Sequence, residues 1–188
     1  CQPKDYVRLR LTGRLLCEVS DAAGTALFDV RERRWSDEVV SALKIPREWL
    51  PETRESFDVC GEVTAEAAAR TGLKAGTPVV GGGADNTCAA IGSGVVVEGR
   101  ASASLGTSGV IFVPTDDLRV DPEERVHSFV HSTPRQWYLM AVVLSAGLSL
   151  RWYRDRIASD EIAAARTEGR DVYERFTEAA AAVPLGAE

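Results

Sequence analysis

The stretch Pro78-Val79-Val80-Gly81-Gly82-Gly83-Ala84-Asp85-Asn86 decides how the rest of the chain is read. An apolar run gives way to three consecutive glycines, which deliver a carboxylate and an amide side by side onto a new helical segment. Residues 77–80 are expected as a buried strand, and Asp85 to about Ile91 as a helix. Strand–glycine–helix alternation of this kind belongs to an α/β layer whose ligands sit at strand ends. Further on, Ser104-Leu105-Gly106-Thr107-Ser108-Gly109 forms a second glycine-punctuated turn.

The two turns offer complementary chemistry. A sugar hydroxyl is a poor nucleophile until a base accepts its proton as the O–P bond forms. Asp85 suits that task because glycines allow close approach of a substrate and because the first helical turn favours an ionised carboxylate. Asn86 supplies a donor and an acceptor, matching a polyol hydroxyl. The plainer reading of Asp85 is an ordinary helix N-cap. Gly106, Thr107 and Ser108 lie between two expected strands, where glycine permits φ > 0 and successive N–H groups can line an anion-binding concavity. A plain hairpin turn uses the same residue types.

Two nucleotide signatures are absent. No G-x-x-x-x-G-K-[ST] occurs, so a P-loop is unsupported. Gly81-Gly82-Gly83 lacks the G-x-G-x-x-G spacing, and Asp85 would repel a pyrophosphate approaching that helix.

A length of 188 residues holds one good core or parts of two domains. A formal net charge of −6 argues against a general nucleic-acid or anionic-membrane binder, which needs a basic face. Cys1, Cys17, Cys60 and Cys88 are scattered without a C-x-x-C pair, which favours reduced cytosolic thiols over disulfides. No apolar run reaches the ~18 residues of a membrane span. Residue 1 is a cysteine, and the sequence closes at Pro184-Leu185-Gly186-Ala187-Glu188 just after a helical pattern. Both ends are expected to lie inside a longer protein.

Along the chain, residues 4–16 read as a short helix ending near Gly13, 20–25 as a loop or turn, and 26–30 as a strand. Ser36 and Thr64 are expected N-caps, with Gly72 a C-terminal stop. Residues 101–105 and 110–113 read as a hairpin, 126–130 and 137–143 as two more strands, and 149–157 and 171–182 as helices. The change of texture after Gly99 points to a second domain. His127 and His131 have the i, i+4 spacing of helical metal ligands, yet they alternate with Val126, Ser128 and Val130 as a strand would, so a structural role is favoured. Arg151, Arg154 and Arg156 read as a solvated helix face.

Lys4-Asp5-Tyr6-Val7-Arg8-Leu9-Arg10-Leu11-Thr12-Gly13 and Ser20-Asp21-Ala22-Ala23-Gly24-Thr25, taken with the two glycine turns, resemble the middle of xylulokinases of the FGGY carbohydrate kinase family. Val126-His127-Ser128-Phe129, Trp137-Tyr138-Leu139-Met140 and Leu144-Ser145-Ala146 extend the likeness over roughly residues 3–186. The resemblance implies an α/β, actin-like ATPase fold with ribonuclease-H-like domains. Residues 1–97 would be the C-terminal half of the first domain and 98–188 the N-terminal part of the second. It implies Asp85 as the base for the C5 hydroxyl of D-xylulose, Asn86 as a sugar contact, and Gly106, Thr107 and Ser108 as the phosphate loop, with ATP and Mg²⁺ as co-substrate and cofactor. No metal ligand is assigned to this chain. A cytoplasmic enzyme without nucleic-acid or membrane partners is implied, and a homodimer is compatible with it. The family's first phosphate loop and its adenine site match nothing in this sequence, so the chain alone is not expected to act as a kinase. Ala84 stands where glycine is common in the family, which matters only if that residue needs φ > 0. The alternatives are another FGGY kinase acting on ribulose, gluconate or glycerol, and a non-catalytic sugar-binding or interaction module.

Overall fold

The computed structural model describes residues 2–184. Its contacts divide the chain into two compact units, one running to Ala103 and resuming over Val110–Val142, the other comprising Ser104–Gly109 and the chain from Val143 on. The boundary expected at 97/98 therefore differs from the division by contacts, which counts residues 110–142 with the first unit.

In the first unit, helix α1 (Pro3–Thr12) has Pro3 where its missing N–H costs nothing, a capping box between Gln2 and Asp5, and Gly13 at φ 73° as its left-handed stop. Strand β1 (Cys17–Glu18) leads into α2 (Val19–Ala22) and a 3-10 turn over Ala23–Thr25. The sequence reading has 20–25 as a loop. It is helical because the buried Glu18 carboxylate accepts the N–H groups of Ser20 and Asp21 and caps the turn.

Strands β2 (Phe28–Asp29) and β3 (Arg34–Trp35) pair antiparallel, and α3 (Asp37–Ala42) follows, capped by Ser36. Strand β4 (Thr53–Arg54) pairs parallel with β1, and β5 (Val59–Glu62) antiparallel with β6 (Pro78–Val80). Between β5 and β6 lies α4 (Ala65–Thr71), with Thr64 as cap and Gly72 as stop. Strand β6 is not buried as expected. Among the described residues it pairs only with β5, and Val80 is 49% exposed because no described layer covers it. Helix α5 (Asp85–Gly92) follows.

Strands β7 (Ser102–Leu105), β8 (Gly109–Thr115), β9 (His127–Val130) and β10 (Trp137–Val143) form a sheet in the order β7-β8-β10-β9. The β9–β10 register places Tyr138 opposite Phe129 and Trp137 opposite Val130.

Two apolar clusters hold this unit. Cys17, Val19, Phe28, Trp35 and Val130 form one, with Phe28 and Trp35 edge-to-face at 5.6 Å. Trp35 and Trp137 each bury an indole N–H against a carbonyl, those of Pro51 and Val30, at 2.7 Å. Ala90, Val95, Phe112 and Tyr138 form the other, where Phe112 stacks on Tyr138 at 4.2 Å.

His131 lies fully buried beside Phe112, and its Nδ1 accepts the Thr133 N–H at 3.0 Å, so the neutral ring carries its proton on Nε2. Burial pushes its pKa down to about 4, outweighing an opposing pull from the Val95 backbone. The unfolded chain takes up this proton below the usual 6.5, and the folded chain refuses it until about 4. The contribution is therefore complete above pH 6.5 and is lost as pH falls through that window, by about 2 kcal/mol at pH 5. Urea unfolding at pH 7.5 and pH 5 should show His131→Asn with a shallower loss than the parent. Equal slopes would contradict the neutral buried imidazole.

The second unit adds α6 (Gly147–Arg156), α7 (Ser159–Glu168) and α8 (Val172–Ala181) to the Ser104–Gly109 turn. Tyr153, Tyr173 and Phe176 pack edge-to-face, and the Arg154 guanidinium stands 5.4 Å over the Tyr173 ring. Arg154 is therefore not simply a solvated charge. Helix α7 has no counterpart among the expected elements. Its signals are Ser159-Asp160-Glu161 at the start and Gly169, at φ 66°, as the stop, but Ile162 is its single bulky aliphatic residue and gives no period.

Candidate functional site

The turn from Gly81 to Asp85 is built by close approach and by anchors supplied from elsewhere in the first unit. A Cβ on Gly81 would lie 2.4 Å from the Glu55 carbonyl oxygen, and one on Gly83 would lie 2.4 Å from Ser132 Oγ. Gly82 sits at φ +83°, with the Lys4 stem packed where a side chain would go. Each of the three positions thus excludes a side chain, Gly81 and Gly83 by close approach and Gly82 by its left-handed φ as well. Ala84 has φ −59°, so the methyl carried in place of glycine is accommodated without strain.

Backbone bonds fix the near end of the turn. The Gly81 N–H donates to the Asp58 carbonyl and the Gly82 N–H to that of Ser56. Arg8 Nη1 donates to the Gly81 carbonyl at 2.6 Å, and the Ala84 N–H donates to Ser20 Oγ at 2.9 Å. Arg8 is 2% exposed, and its Nη2 also holds Asp5 at 2.8 Å and the Leu16 carbonyl at 2.6 Å. The buried Glu18 carboxylate receives Ser20 Oγ, Ser56 Oγ and Lys4 Nζ in addition to its two cap amides. Lys4 reaches Asp21 at 3.0 Å and Asp5 at 3.5 Å as well. Burial works against its ammonium, but Glu18, Asp21 and Asp5 together outweigh it and raise its pKa.

Asp85 is the first residue of α5 and is exposed. It is not the N-cap: Ala84 holds that position, and no side chain caps the helix. The carboxylate's single hydrogen bond takes the Asn86 N–H onto Oδ1 at 2.7 Å, which leaves Oδ2 uncommitted among the described residues. Among the described residues Asn86 Nδ2 meets only the Met140 thioether, at 3.7 Å, a weak acceptor that a hydroxyl would better. Tyr138 lies within range of this charge. Its phenol pKa is raised, first by burial and then by Asp85, Asp21 and Glu18.

The second turn is organised by a different device. Neither Gly106 nor Gly109 has φ > 0, so the left-handed geometry expected there is not used. The Gly106 N–H closes onto the Ser108 carbonyl at 2.8 Å. The start of α6 grips the turn from outside, Ala146 and Leu148 donating to the Thr107 carbonyl and Gly147 to the Gly106 carbonyl. A Cβ on Gly147 would lie 2.5 Å from that Gly106 oxygen, so Gly147 is the residue that close approach requires. The Thr107 and Ser108 amides and hydroxyls make no hydrogen bond among the described residues.

The profile of the FGGY family of carbohydrate kinases, N-terminal domain, matches residues 1–92. Beyond that region the likeness continues. The chain is 45% identical over 150 residues to the xylulose kinase of Escherichia coli (strain K12), covering 80% of this chain and 31% of that protein. It is 38% identical over 185 residues to the xylulose kinase of Bacillus subtilis (strain 168), covering 98% of this chain and 35% of that one.

The chain belongs to the FGGY family of carbohydrate kinases.

Among solved structures, the xylulose kinase from Rhodospirillum rubrum superposes with a TM-score of 0.84 at 28% identity, over 99% of this chain and 36% of that one. The architecture is accordingly that of FGGY kinases, the actin-like ATPase fold anticipated from the sequence. The chain spans about a third of the length of these FGGY relatives. Sequence reasoning named the two turns but missed what holds them. Arg8 and Ser20 lie in stretches that carry the family resemblance, but the resemblance gives neither a role, and these two and Gly147 are distinguished only by a pairing across the fold.

Proposed function

We propose that the protein carrying this chain transfers the γ-phosphate of ATP to D-xylulose, giving D-xylulose 5-phosphate and ADP. Asp85 accepts the proton of the C5 hydroxyl, that oxygen bonds to the γ-phosphorus, and the bond from phosphorus to the ADP oxygen breaks. Asn86 hydrogen-bonds the sugar beside the base. The amides and hydroxyls of Thr107 and Ser108 receive phosphate oxygens, and Gly106, its own N–H closed onto the Ser108 carbonyl, shapes the loop that presents them. In this reading residues 1–97 belong to the first kinase domain and 98–188 to the second, the enzyme works in the cytoplasm, and a homodimer is compatible with it.

The observation that carries the base assignment is the Asp85 carboxylate itself. It is exposed on a turn fixed at both ends, and one oxygen is uncommitted. An aspartate serving only as a cap would spend that oxygen on its helix. Mg²⁺ would neutralise charge on the transferring phosphates. The described residues hold no cluster of three or more metal-ligating side chains.

The choice of D-xylulose rests on the xylulose kinases that match the chain over most of its length. Rates of ADP release with D-xylulose, ribulose, gluconate and glycerol test it.

A further inference from the structure

We infer that Ser20 is a positioning residue for Asp85, its hydroxyl oxygen fixing the Ala84 amide and thereby the start of the helix that presents the carboxylate. The inference rests on Asp85 being the base. Gly81, Gly82 and Gly83 give the turn no side chains with which to hold itself, and glycine is the residue with most freedom to lose. Asp85 offers no anchor either, since its one hydrogen bond among the described residues is to the neighbouring amide. Its place must come from the backbone just before it.

At that point the Ala84 N–H meets Ser20 Oγ, from a helix 64 residues earlier in sequence. A serine hydroxyl has one proton and two acceptor lobes. The proton goes to Glu18 Oε2 at 2.7 Å, so the lobes are left for the Ala84 N–H at 2.9 Å and Ser132 Oγ at 3.2 Å. Glu18 cannot swing away. It is fully buried and also receives Lys4, Ser56 and two amides. Ser132, its one proton given to Ser20, accepts in turn from Thr87 Oγ1 at 2.6 Å, in the first turn of α5. The amide of Ala84 and the first turn of α5 are thus both tied into one buried chain of hydroxyls that ends on Glu18. A base displaced by about 1 Å loses on the order of 10²-fold in rate.

The test is a double-mutant cycle in the complete kinase, with D-xylulose and ATP as substrates. Ser20→Ala alone is expected to lower kcat by roughly 10- to 100-fold, with a smaller change in KM. In an Asp85→Asn background the same substitution should cost less than about threefold further, because the group it positions is gone. Should Ser20→Ala fail to fold by its melting curve, Ser20→Cys keeps the volume with a much weaker acceptor and serves the same comparison. Wild-type kcat in either Ser20 variant, or a loss that multiplies in full with that of Asp85→Asn, would overturn the inference. Near wild-type turnover of Asp85→Asn by itself would instead sink the base assignment, so the two failures are separable.

Discussion

Replacing Asp85 by asparagine in the complete kinase is expected to lower kcat for D-xylulose by about 10²-fold or more, with sugar KM changing far less. The substitution keeps the volume of the side chain, and Asn Oδ1 can still accept the Asn86 N–H that Asp85 Oδ1 holds at 2.7 Å. Helix α5 has no side-chain cap and so does not depend on the carboxylate for one. What is removed is a basic oxygen able to take a proton. Loss in kcat with little change in KM is the signature of an interaction made only in the transition state. Steady-state kinetics of the two proteins decide it. Turnover within a few-fold of the parent would return Asp85 to an ordinary first-turn carboxylate.

The second large effect falls on stability. Arg8→Met is expected to destabilise the complete protein by roughly 3–5 kcal/mol, the range seen when one partner of a buried ion pair is removed. Asp5 is fully buried, and after the change its carboxylate retains only the more distant Lys4 ammonium at 3.5 Å among cationic side chains. The carbonyls of Leu16 and Gly81 lose a donor at the same time. Methionine fills most of the volume, which isolates the electrostatic part from a cavity. The urea midpoint should fall without a change in m value. A shift worth less than about 1 kcal/mol would mean that water or a neighbour replaces the guanidinium with ease. Asp5→Leu together with Arg8→Met should recover much of the loss, because the stranded charge goes with its partner.

Much of this architecture is legible in the sequence wherever a local rule operates. Pro3 and Gly13 bracket α1, Ser36 and Thr64 cap α3 and α4, and Gly72 stops α4 by its left-handed conformation. The β9–β10 pair is visible as alternation across Val126–Val130 and Trp137–Val143, which also places His127 on a strand.

The misreadings share one cause. Residues 20–25 carry loop chemistry, yet they are helical because a buried carboxylate at Glu18 supplies the cap, and glutamate is not a usual N-cap. Val79 and Val80 read as buried because runs of valine usually are, but only β5 flanks them. Gly106 and Gly109 suggested positive φ, whereas the close approach is made by Gly147, far along the chain.

The candidate site follows the same pattern. Asp85 and Asn86 stand out because they end a glycine run. Arg8 and Ser20 belong to stretches that resemble the family, but within them they look like any helix-face arginine and any turn serine. Their importance lies in partners 73 and 64 residues away, and no periodicity encodes a contact of that range.

The central claim, that this FGGY chain belongs to a kinase acting on D-xylulose, is tested most directly by the complete enzyme's kcat/KM across a panel of sugars and polyols. ADP release with ATP should be fastest per mole for D-xylulose, by at least about tenfold over ribulose, gluconate and glycerol, since hydrogen-bonded hydroxyls discriminate strongly against misplaced ones. Equal efficiency across the panel, a preference for another of these compounds, or no phosphorylation of D-xylulose at all would contradict it.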